Sequence, residues 1–458
     1  MPAPIRWVSQ SMFCGMVYAH GACCARPKST RRAQLDLMRS PDLSSPSRRQ
    51  LLAKAATVSA AGLLPTGASA QATPPVPVRD WLRRATDPPF RIPLDYVGLH
   101  SNHGLGASVA APTYAYDAVR SHDTDDGQDF PATQWSRIEV RPGVYDWKGV
   151  DAWIAAHPGR TRIWVLFGCP AFYQKYPGEP WRYPYLPGGG SPPRDPAVAA
   201  AFIRALLARH PGEIQFVEIW NEPNFGPGSG SSLGSGSSLG SGSLEGRWLP
   251  TAKDSGFFTG TASDLAALAR VVRGGLPAGV KLMAGAWESQ AQGSTPANSL
   301  IRFSLAPDGV GGRGRDHVDV LSVHAYTYKN DPNSMIHELR SYRQRFADAG
   351  YRANLPIYVT ECGAEAPEAW SETRPPLAQK VRTLKRWLMI PAALGYSGLY
   401  LYKHSFMRTL GDPAATPALG EAITATRNAM RGRLLTAAAL LADETTWVAF
   451  ADGTFVNA

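Results

Sequence analysis

Val217-Glu218-Ile219-Trp220-Asn221-Glu222-Pro223-Asn224 opens as an apolar, β-prone run and closes on a carboxylate followed by turn residues. Ile357-Tyr358-Val359-Thr360-Glu361-Cys362-Gly363 has the same form, with Glu361 lying 139 residues beyond Glu222. A charge where a buried strand surfaces must be paired or put to use, so packing explains neither carboxylate well. Two of them on separate strands are the equipment of a general acid and a nucleophile facing one substrate bond.

Six further strand-like runs accompany these two. The full set is Asp95–His100, Asp117–His122, Arg162–Phe167, Gln215–Trp220, Lys281–Ala286, Asp319–His324, Pro356–Thr360 and Gly398–Tyr402. Helical patterns fall between them, at Val198–Ala208, Ala262–Arg273, Met335–Ala349, Leu377–Met389 and Gly420–Met430. Such alternation implies a closed parallel barrel or a doubly wound sheet. No Gly-x-Gly-x-x-Gly follows the first strand, so the dinucleotide-binding alternative loses its main support. The expected fold class is α/β: one (β/α)8 TIM barrel over residues 71–430, with Glu222 and Glu361 at the C-terminal rim of strands four and seven. Setting aside a Gly/Ser repeat of about 20 residues, three units between the carboxylates leave about 40 residues each, a size that suits a barrel.

That repeat occupies residues 226–246, where Ser229-Gly230-Ser231-Ser232-Leu233-Gly234 recurs as residues 235–240. It has no core to bury and reads as a flexible loop expanded after strand four, not as a domain linker, because the barrel pattern resumes at Gly256-Phe257-Phe258. At the other margins, Gln71 to about Pro89 reads as a polar, Pro-rich lead. Arg433–Ala442 and Thr446–Val456 read as two strands around Asp443-Glu444, with Asp452-Gly453 a further turn signal, in a small β appendage over residues 431–458.

A formal charge of +10 invites a nucleic-acid or membrane reading, but its distribution argues against one. Residues 1–70 hold nine Lys/Arg against Asp36 and Asp42, which leaves a balance of +3 elsewhere. Ser47-Arg48-Arg49-Gln50-Leu51-Leu52, an apolar run from Ala55 to Leu64 and Ala68-Ser69-Ala70 together read as a twin-arginine signal peptide over residues 38–70. The expectation is a folded protein passed to the Tat export machinery, periplasmic or secreted, with no membrane segment in its mature form. Met38 is a suitable start for such a signal, so residues 1–37 read as an over-extended gene start. The mature chain then keeps only Cys169 and Cys362, which is no disulfide framework.

Histidines and aromatics complete the candidate site. His100-Ser101-Asn102-His103 with His122 has no helical ligand spacing and no cysteine partner, so sugar-hydroxyl contacts are expected there in preference to a metal. His324 shares a strand face with Tyr326 and should line the same subsite. Phe172, Tyr173, Tyr176, Trp181, Tyr183 and Tyr185 crowd the loop after strand three, interleaved with prolines that forbid a helix. They form either a satellite core or a cleft wall on which sugar rings stack, extended by Trp287 and Trp370.

Trp220-Asn221-Glu222-Pro223, His324-Ala325-Tyr326 and Thr360-Glu361 resemble strands four, six and seven of the clan A glycoside hydrolases. Trp135 through Glu139, Pro142-Gly143-Val144-Tyr145-Asp146-Trp147 and Val150-Asp151 are most similar to family 39 and its relatives, which include β-xylosidases and bacterial exopolysaccharide endoglycosidases. The resemblance spans about Asp95 to Tyr402. It implies a retaining β-glycoside hydrolase without cofactor or metal, acting on a polysaccharide or oligosaccharide. Glu222 would be the acid/base and Glu361 the nucleophile, with carboxyl groups about 5 Å apart and the charge of Glu361 raising the pKa of the acid. Asn221 would bind the 2-hydroxyl, Tyr326 would donate to the nucleophile, and Arg120 would keep the nucleophile charged. Two departures from the family pattern stand out: Tyr402 and His404 occur where a strand-eight Trp is usual, and the β-sandwich is reduced to the appendage. Endo action is the expectation from the aromatic loop. An exo-β-xylosidase or β-glucosidase, or a non-catalytic glycan-binding barrel, are the alternatives.

Overall fold

The computed structural model describes residues 73–100, 114–122, 133–177, 190–223, 257–287, 296–327, 332–364, 376–402 and 417–458. The signal segment, the 226–246 repeat, Trp181, Tyr183, Tyr185, Trp370 and His404 lie outside these residues.

Eight parallel strands close into a barrel: Val97–His100, Ala118–Ser121, Thr161–Leu166, Phe216–Ile219, Lys281–Trp287, Val320–Thr327, Ile357–Ala364 and Gly398–Tyr402. They are called here the first to eighth barrel strands. Each pairs with the next, and the eighth returns to the first, with Leu399 opposite Val97 and Tyr402 opposite His100. The expected fold class holds, and all eight strands lie where the sequence pattern put them, give or take a few residues. The helices follow the same pattern, at Ala197–Arg209, Ala262–Gly275, Pro332–Asp348, Leu377–Ala393 and Pro417–Met430. A further helix, Pro296–Leu305, joins the fifth and sixth strands. In the helix Ala262–Gly275, the Thr261 hydroxyl accepts the Asp264 N–H while the Asp264 carboxylate accepts the Thr261 N–H, a reciprocal cap. Leu265, Leu268, Ala269 and Val272 then bury one face of that helix.

Inside the barrel, side chains are layered by height. The floor is apolar: Ala118, Ile163, Phe216, Met283, Val320, Tyr358 and Tyr400 form one buried cluster. Two glycines make room for its tyrosines, since a Cβ on Gly98 would lie 2.4 Å from the Tyr400 ring and one on Gly398 2.4 Å from the Tyr358 ring. Two residues further along the second, fourth, sixth and seventh strands the same inward face becomes polar, with Arg120, Glu218, Ser322 and Thr360, all buried. The functional rim stands on that layer.

A small antiparallel sheet packs outside the barrel. Leu434–Leu441 is flanked by Thr446–Phe450 on one side and Val78–Arg83 on the other, with Phe455–Asn457 beyond. The turn signal at Asp452-Gly453 divides the second C-terminal run into two strands, and one expectation changes: Val78–Arg83 in the lead adds a strand. Trp81 explains the added strand: it packs on the buried Ala437, Ala439, Leu441, Trp447 and Ala449 face. Cys169 and Cys362 are buried free thiols, as expected. Among the described residues no helix is long and apolar enough to cross a membrane.

The stretch Trp135–Trp147 is a brace. The Glu139 carboxylate is buried and accepts three hydrogen bonds, from Trp135 Nε1 (2.7 Å), the Gly143 N–H (2.8 Å) and the Tyr173 hydroxyl (2.9 Å). Trp135 and Trp147 both stack on Phe202 of the helix Ala197–Arg209. Tyr173 therefore packs against the main hydrophobic core, a packing role like the first of the two readings the sequence left open for this loop. Removing the carboxylate leaves three donors without their acceptor: the buried Trp135 Nε1–H at about 1–3 kcal/mol, and the exposed Gly143 N–H and half-buried Tyr173 hydroxyl at less. Glu139→Ala is expected to lower the urea unfolding free energy by about 3 kcal/mol. Asp151→Ala, which removes an exposed pairing with Arg209 at 2.6 Å, should change it by less than about 1 kcal/mol. Equal losses in the two variants would refute the brace.

Candidate active site

The rim residues converge because three strands depart from regular alternation at their C-terminal ends. On the fourth strand, alternation from Glu218 would turn Trp220 inward and Asn221 outward. Trp220 instead adopts a left-handed backbone (φ 65°), which sends its ring into the core against Phe167 and Phe258 and its Nε1 to the Phe257 carbonyl (2.5 Å). Asn221 and Glu222 are thereby free to face the site, and Glu222 is itself left-handed (φ 41°). On the seventh strand, Val323 pairs with Val359 but His324 pairs with Glu361, so Thr360 is the extra residue of a bulge. A bulge re-aims the side chain that follows it. Thr360 and Glu361 consequently both reach the interior, where Thr360 Oγ1 donates to Glu218 Oε1 (3.1 Å). On the fifth strand, Gly285 (φ 126°) and Ala286 (φ 41°) bulge against the sixth. Of the four left-handed non-glycine residues among those described, three (Trp220, Glu222 and Ala286) lie at this rim. Backbone strain of about 1–3 kcal/mol per residue persists only where the surroundings hold it.

Arg120 is the hub. Fully buried, it donates Nε–H to Glu218 Oε2 (2.6 Å), Nη1–H to Glu361 Oε1 (2.7 Å) and Nη2–H to Asn221 Oδ1 (2.8 Å). Its pKa lies above the ordinary value: burial opposes the charge, but Glu218 and Glu361 outweigh it. The other oxygen of Glu361 accepts the Tyr326 hydroxyl at 2.5 Å. Burial also raises Tyr326 well above the ordinary phenol value, with the Glu361 charge adding to it, so it stays a donor. For Glu361, burial alone would raise the pKa. His324, His100 and Arg120 outweigh burial and hold the carboxyl well below the usual range. Burial pushes His100 and His324 below the ordinary imidazole value, so near neutrality the lasting cation beside Glu361 is Arg120.

Histidine tautomers follow from the partners. His100 Nε2 faces the His122 carbonyl at 2.8 Å, which requires Nε2–H. Its bare Nδ1 then accepts from Arg120 Nη1 at 3.4 Å. His324 Nδ1 lies 2.6 Å from Glu222 Oε1 and 3.4 Å from Glu361 Oε2. One proton sits on the short contact with Glu222, either donated by the imidazole or by the carboxyl. A ligand oxygen of Glu222, His324 Nδ1 and an oxygen of Glu361 all lie within 4.8 Å of one another. This leaves two carboxyl groups with different surroundings across one small space. One is fixed as an anion by a guanidinium and a phenol, and the other shares a proton with a neutral imidazole.

Seven of the sequence-identified residues therefore meet at one point: His100, Arg120, Asn221, Glu222, His324, Tyr326 and Glu361. The His122 ring packs edge-on against His100 and Phe167 beside them. Trp287 is buried, its ring 5.8 Å from Phe303 and its carbonyl accepting the Tyr342 hydroxyl. Trp181 and Trp370 fall outside the described residues. Sequence reading missed Glu218, although it stands on the inward face of the same quoted run. It also missed Thr360 and Ser322, whose parts depend on bulges that leave no mark in composition. Tyr402 closes the eighth-strand side, its ring edge-on to His100 (4.6 Å) and to Tyr326 (6.1 Å). Two trios have spacing a metal could use, His100–His122–Glu361 and Glu222–His324–Glu361. Both depend on Glu361, whose oxygens are engaged by Arg120 and Tyr326, donors that a cation would have to displace.

No family model and no curated protein matches this sequence. Solved structures do match in fold. A family 39 glycoside hydrolase from the gut symbiont Bacteroides cellulosilyticus superposes with a TM-score of 0.52 at 15% identity, over 80% of this chain and 69% of that one. A monomeric β-xylosidase from Caulobacter crescentus gives a TM-score of 0.48 at 16% identity, over 78% and 74% of the two chains. At these identities the shared property is the (β/α)8 barrel fold.

Proposed function

We propose that this protein is a retaining β-glycoside hydrolase acting on a polysaccharide or oligosaccharide, with Glu222 as acid/base and Glu361 as nucleophile. The observation that carries the reading is the pair of buried carboxyl groups with oxygens within 4.8 Å, at the C-terminal rim of the fourth and seventh barrel strands. Retaining glycosidases need about 5 Å between their carboxyls, because no water has to fit between nucleophile and sugar, whereas inverting enzymes need about 6.5–9.5 Å. The unlike surroundings fit the division of labour. Glu361, ionised and oriented by Arg120 and Tyr326, attacks the anomeric carbon while Glu222 protonates the departing oxygen. Glu222 has by then passed its proton to the departing oxygen; once Glu361 is esterified the repelling charge is gone, so Glu222 stays ionised and is the base that takes a proton from the attacking water. Asn221, fixed by Arg120, presents its amide N–H2 toward a sugar hydroxyl.

Endo action is part of the proposal and rests on the aromatic run after the third strand. Sizing the products from a polysaccharide panel tests it: oligomer ladders support endo cleavage, and single sugars alone refute it. Glu361→Ala is expected to lose more than about a thousandfold in turnover of an activated aryl β-glycoside. Azide should partly restore it and give a product of inverted configuration. Glu222→Ala should lower kcat/KM by about 10²–10⁴-fold for poor leaving groups and far less for dinitrophenyl glycosides. Unchanged turnover in the first variant, or equal losses across leaving groups in the second, would contradict the roles.

The depressed pKa of Glu361 has a sign that can be checked. A nucleophile must be ionised, so activity is lost as pH falls through its folded-state pKa. The acidic limb of kcat/KM is expected below the ordinary glutamate value of about 4.3. Arg120→Met removes the permanent cation and should shift that limb upward; a limb that stays in place would remove Arg120 from the role. The twin-arginine string and the Ala68-Ser69-Ala70 cleavage pattern further support export of the folded chain. Replacing Arg48 and Arg49 by lysine should leave uncleaved precursor in the cytoplasm, and normal export of that variant would refute the route.

A further inference from the structure

Glu222 is held from two directions, by a side chain of the sixth strand and by the backbone of the fifth. Its side chain meets His324 Nδ1 at 2.6 Å. Its backbone N–H donates to the Ala286 carbonyl at 3.1 Å, and the Ala286 N–H donates in turn to Ser322 Oγ at 2.7 Å. Ser322 and His324 are alternate residues of the sixth strand and share its inward face, so strand six grips strand four directly through an imidazole and indirectly through strand five. Ser322 is buried and touches neither carboxylate in this network; its hydroxyl serves a backbone amide.

The link in the middle is strained. Ala286 has φ 41°, in the left-handed region that costs an alanine about 1–3 kcal/mol unless neighbours hold it. Gly285 before it has φ 126°, and a Cβ there would lie 2.3 Å from the Ser322 carbonyl oxygen. Ser322 thus confines the bulge twice, with its carbonyl pressed close to Gly285 and its hydroxyl accepting from Ala286. Without the hydroxyl, the Ala286 N–H is a buried donor with no acceptor, and turning the residue toward negative φ relieves both faults. That turn rotates the Ala286 peptide, and with it the carbonyl that receives the Glu222 N–H. A Glu222 backbone at φ 41° then loses its anchor.

We propose that Ser322 is a positioning residue for the acid/base: through the Ala286 peptide it fixes the backbone, and so the carboxyl, of Glu222. The inference rests on the proposed role of Glu222. Displacing a catalytic group by about 1 Å costs about a hundredfold, and only steps that need proton transfer feel it. Ser322→Ala should therefore lower kcat/KM by about 10- to 100-fold on a phenyl or alkyl β-glycoside and by less than about threefold on the dinitrophenyl glycoside of the same sugar.

A second variant separates positioning from general damage. Glycine adopts positive φ without strain, so Ala286→Gly removes one of the two reasons for the bulge to relax. The double variant Ser322→Ala/Ala286→Gly should recover at least about threefold of the poor-leaving-group activity lost in Ser322→Ala, a coupling that a double-mutant cycle isolates. Equal losses on the two leaving groups, or no recovery in the double variant, would overturn the relay. If the wild type cleaves no glycoside in the panel, the proposed function falls; if it cleaves them and Ser322→Ala has a flat leaving-group dependence, only the relay falls.

Discussion

A single buried guanidinium ties the site to the barrel. Arg120 has no solvent to stabilise its charge, so its hydrogen bonds to Glu218, Glu361 and Asn221 are obligatory, and each ends on a different requirement. Glu218, below it in the barrel interior, supplies a counter-charge held in turn by Thr360. Glu361 and Asn221, above it, are the groups whose orientation the proposed chemistry needs. Planar fork geometry explains why arginine suits the position. Three nitrogens in one plane fix three partners at once, where a lysine ammonium would offer a point charge on a flexible stem.

The charge count around this hub explains how the site keeps two carboxyl groups in different states. Glu218 and Glu361 share one permanent cation, and the nearby histidines are neutral near pH 7 because burial disfavours their charge. Arg120 therefore stabilises Glu361 without making the region positive. Glu222 shares a proton with His324. An arrangement with a second arginine at Glu222 would ionise both groups and remove the acid. Asymmetry between the two partners is what the geometry protects.

Much of this was legible in the sequence, because barrel strands and rim carboxylates follow from local pattern. Alternation of apolar runs with helical stretches located all eight strands, and Glu222, Glu361, Asn221, Tyr326, Arg120, His324 and His100 could be named from their places on them. The failures have a common physical cause. Period-two alternation would turn Glu361 away from the interior once Thr360 faces it, and would turn Asn221 outward once Glu218 faces in. Only the bulge at Thr360 and the left-handed turn at Trp220 reverse this. Neither position carries a glycine or proline to announce it. Val78–Arg83 was missed for a related reason, since it becomes a strand only when Leu434–Leu441 offers an edge more than 300 residues away.

The same departures say where the fold has been bent to hold its site. A regular barrel would deliver one inward residue from each strand at each level, and adjacent residues could not both face the axis. Placing Glu218 and Asn221 on one guanidinium, and Thr360 and Glu361 on one strand end, requires breaking the alternation at the height where the rim begins. The apolar floor beneath needs no such break: its seven residues pack as regular layers, and the glycines there only make space for tyrosines. Strain is therefore confined to the C-terminal ends of the strands, above a buried polar layer in which Glu218 and Thr360 are tied to Arg120 and Ser322 to the Ala286 amide. A barrel whose apolar floor packs regularly can hold three left-handed residues at its rim, which is why the irregular positions and the candidate chemistry coincide.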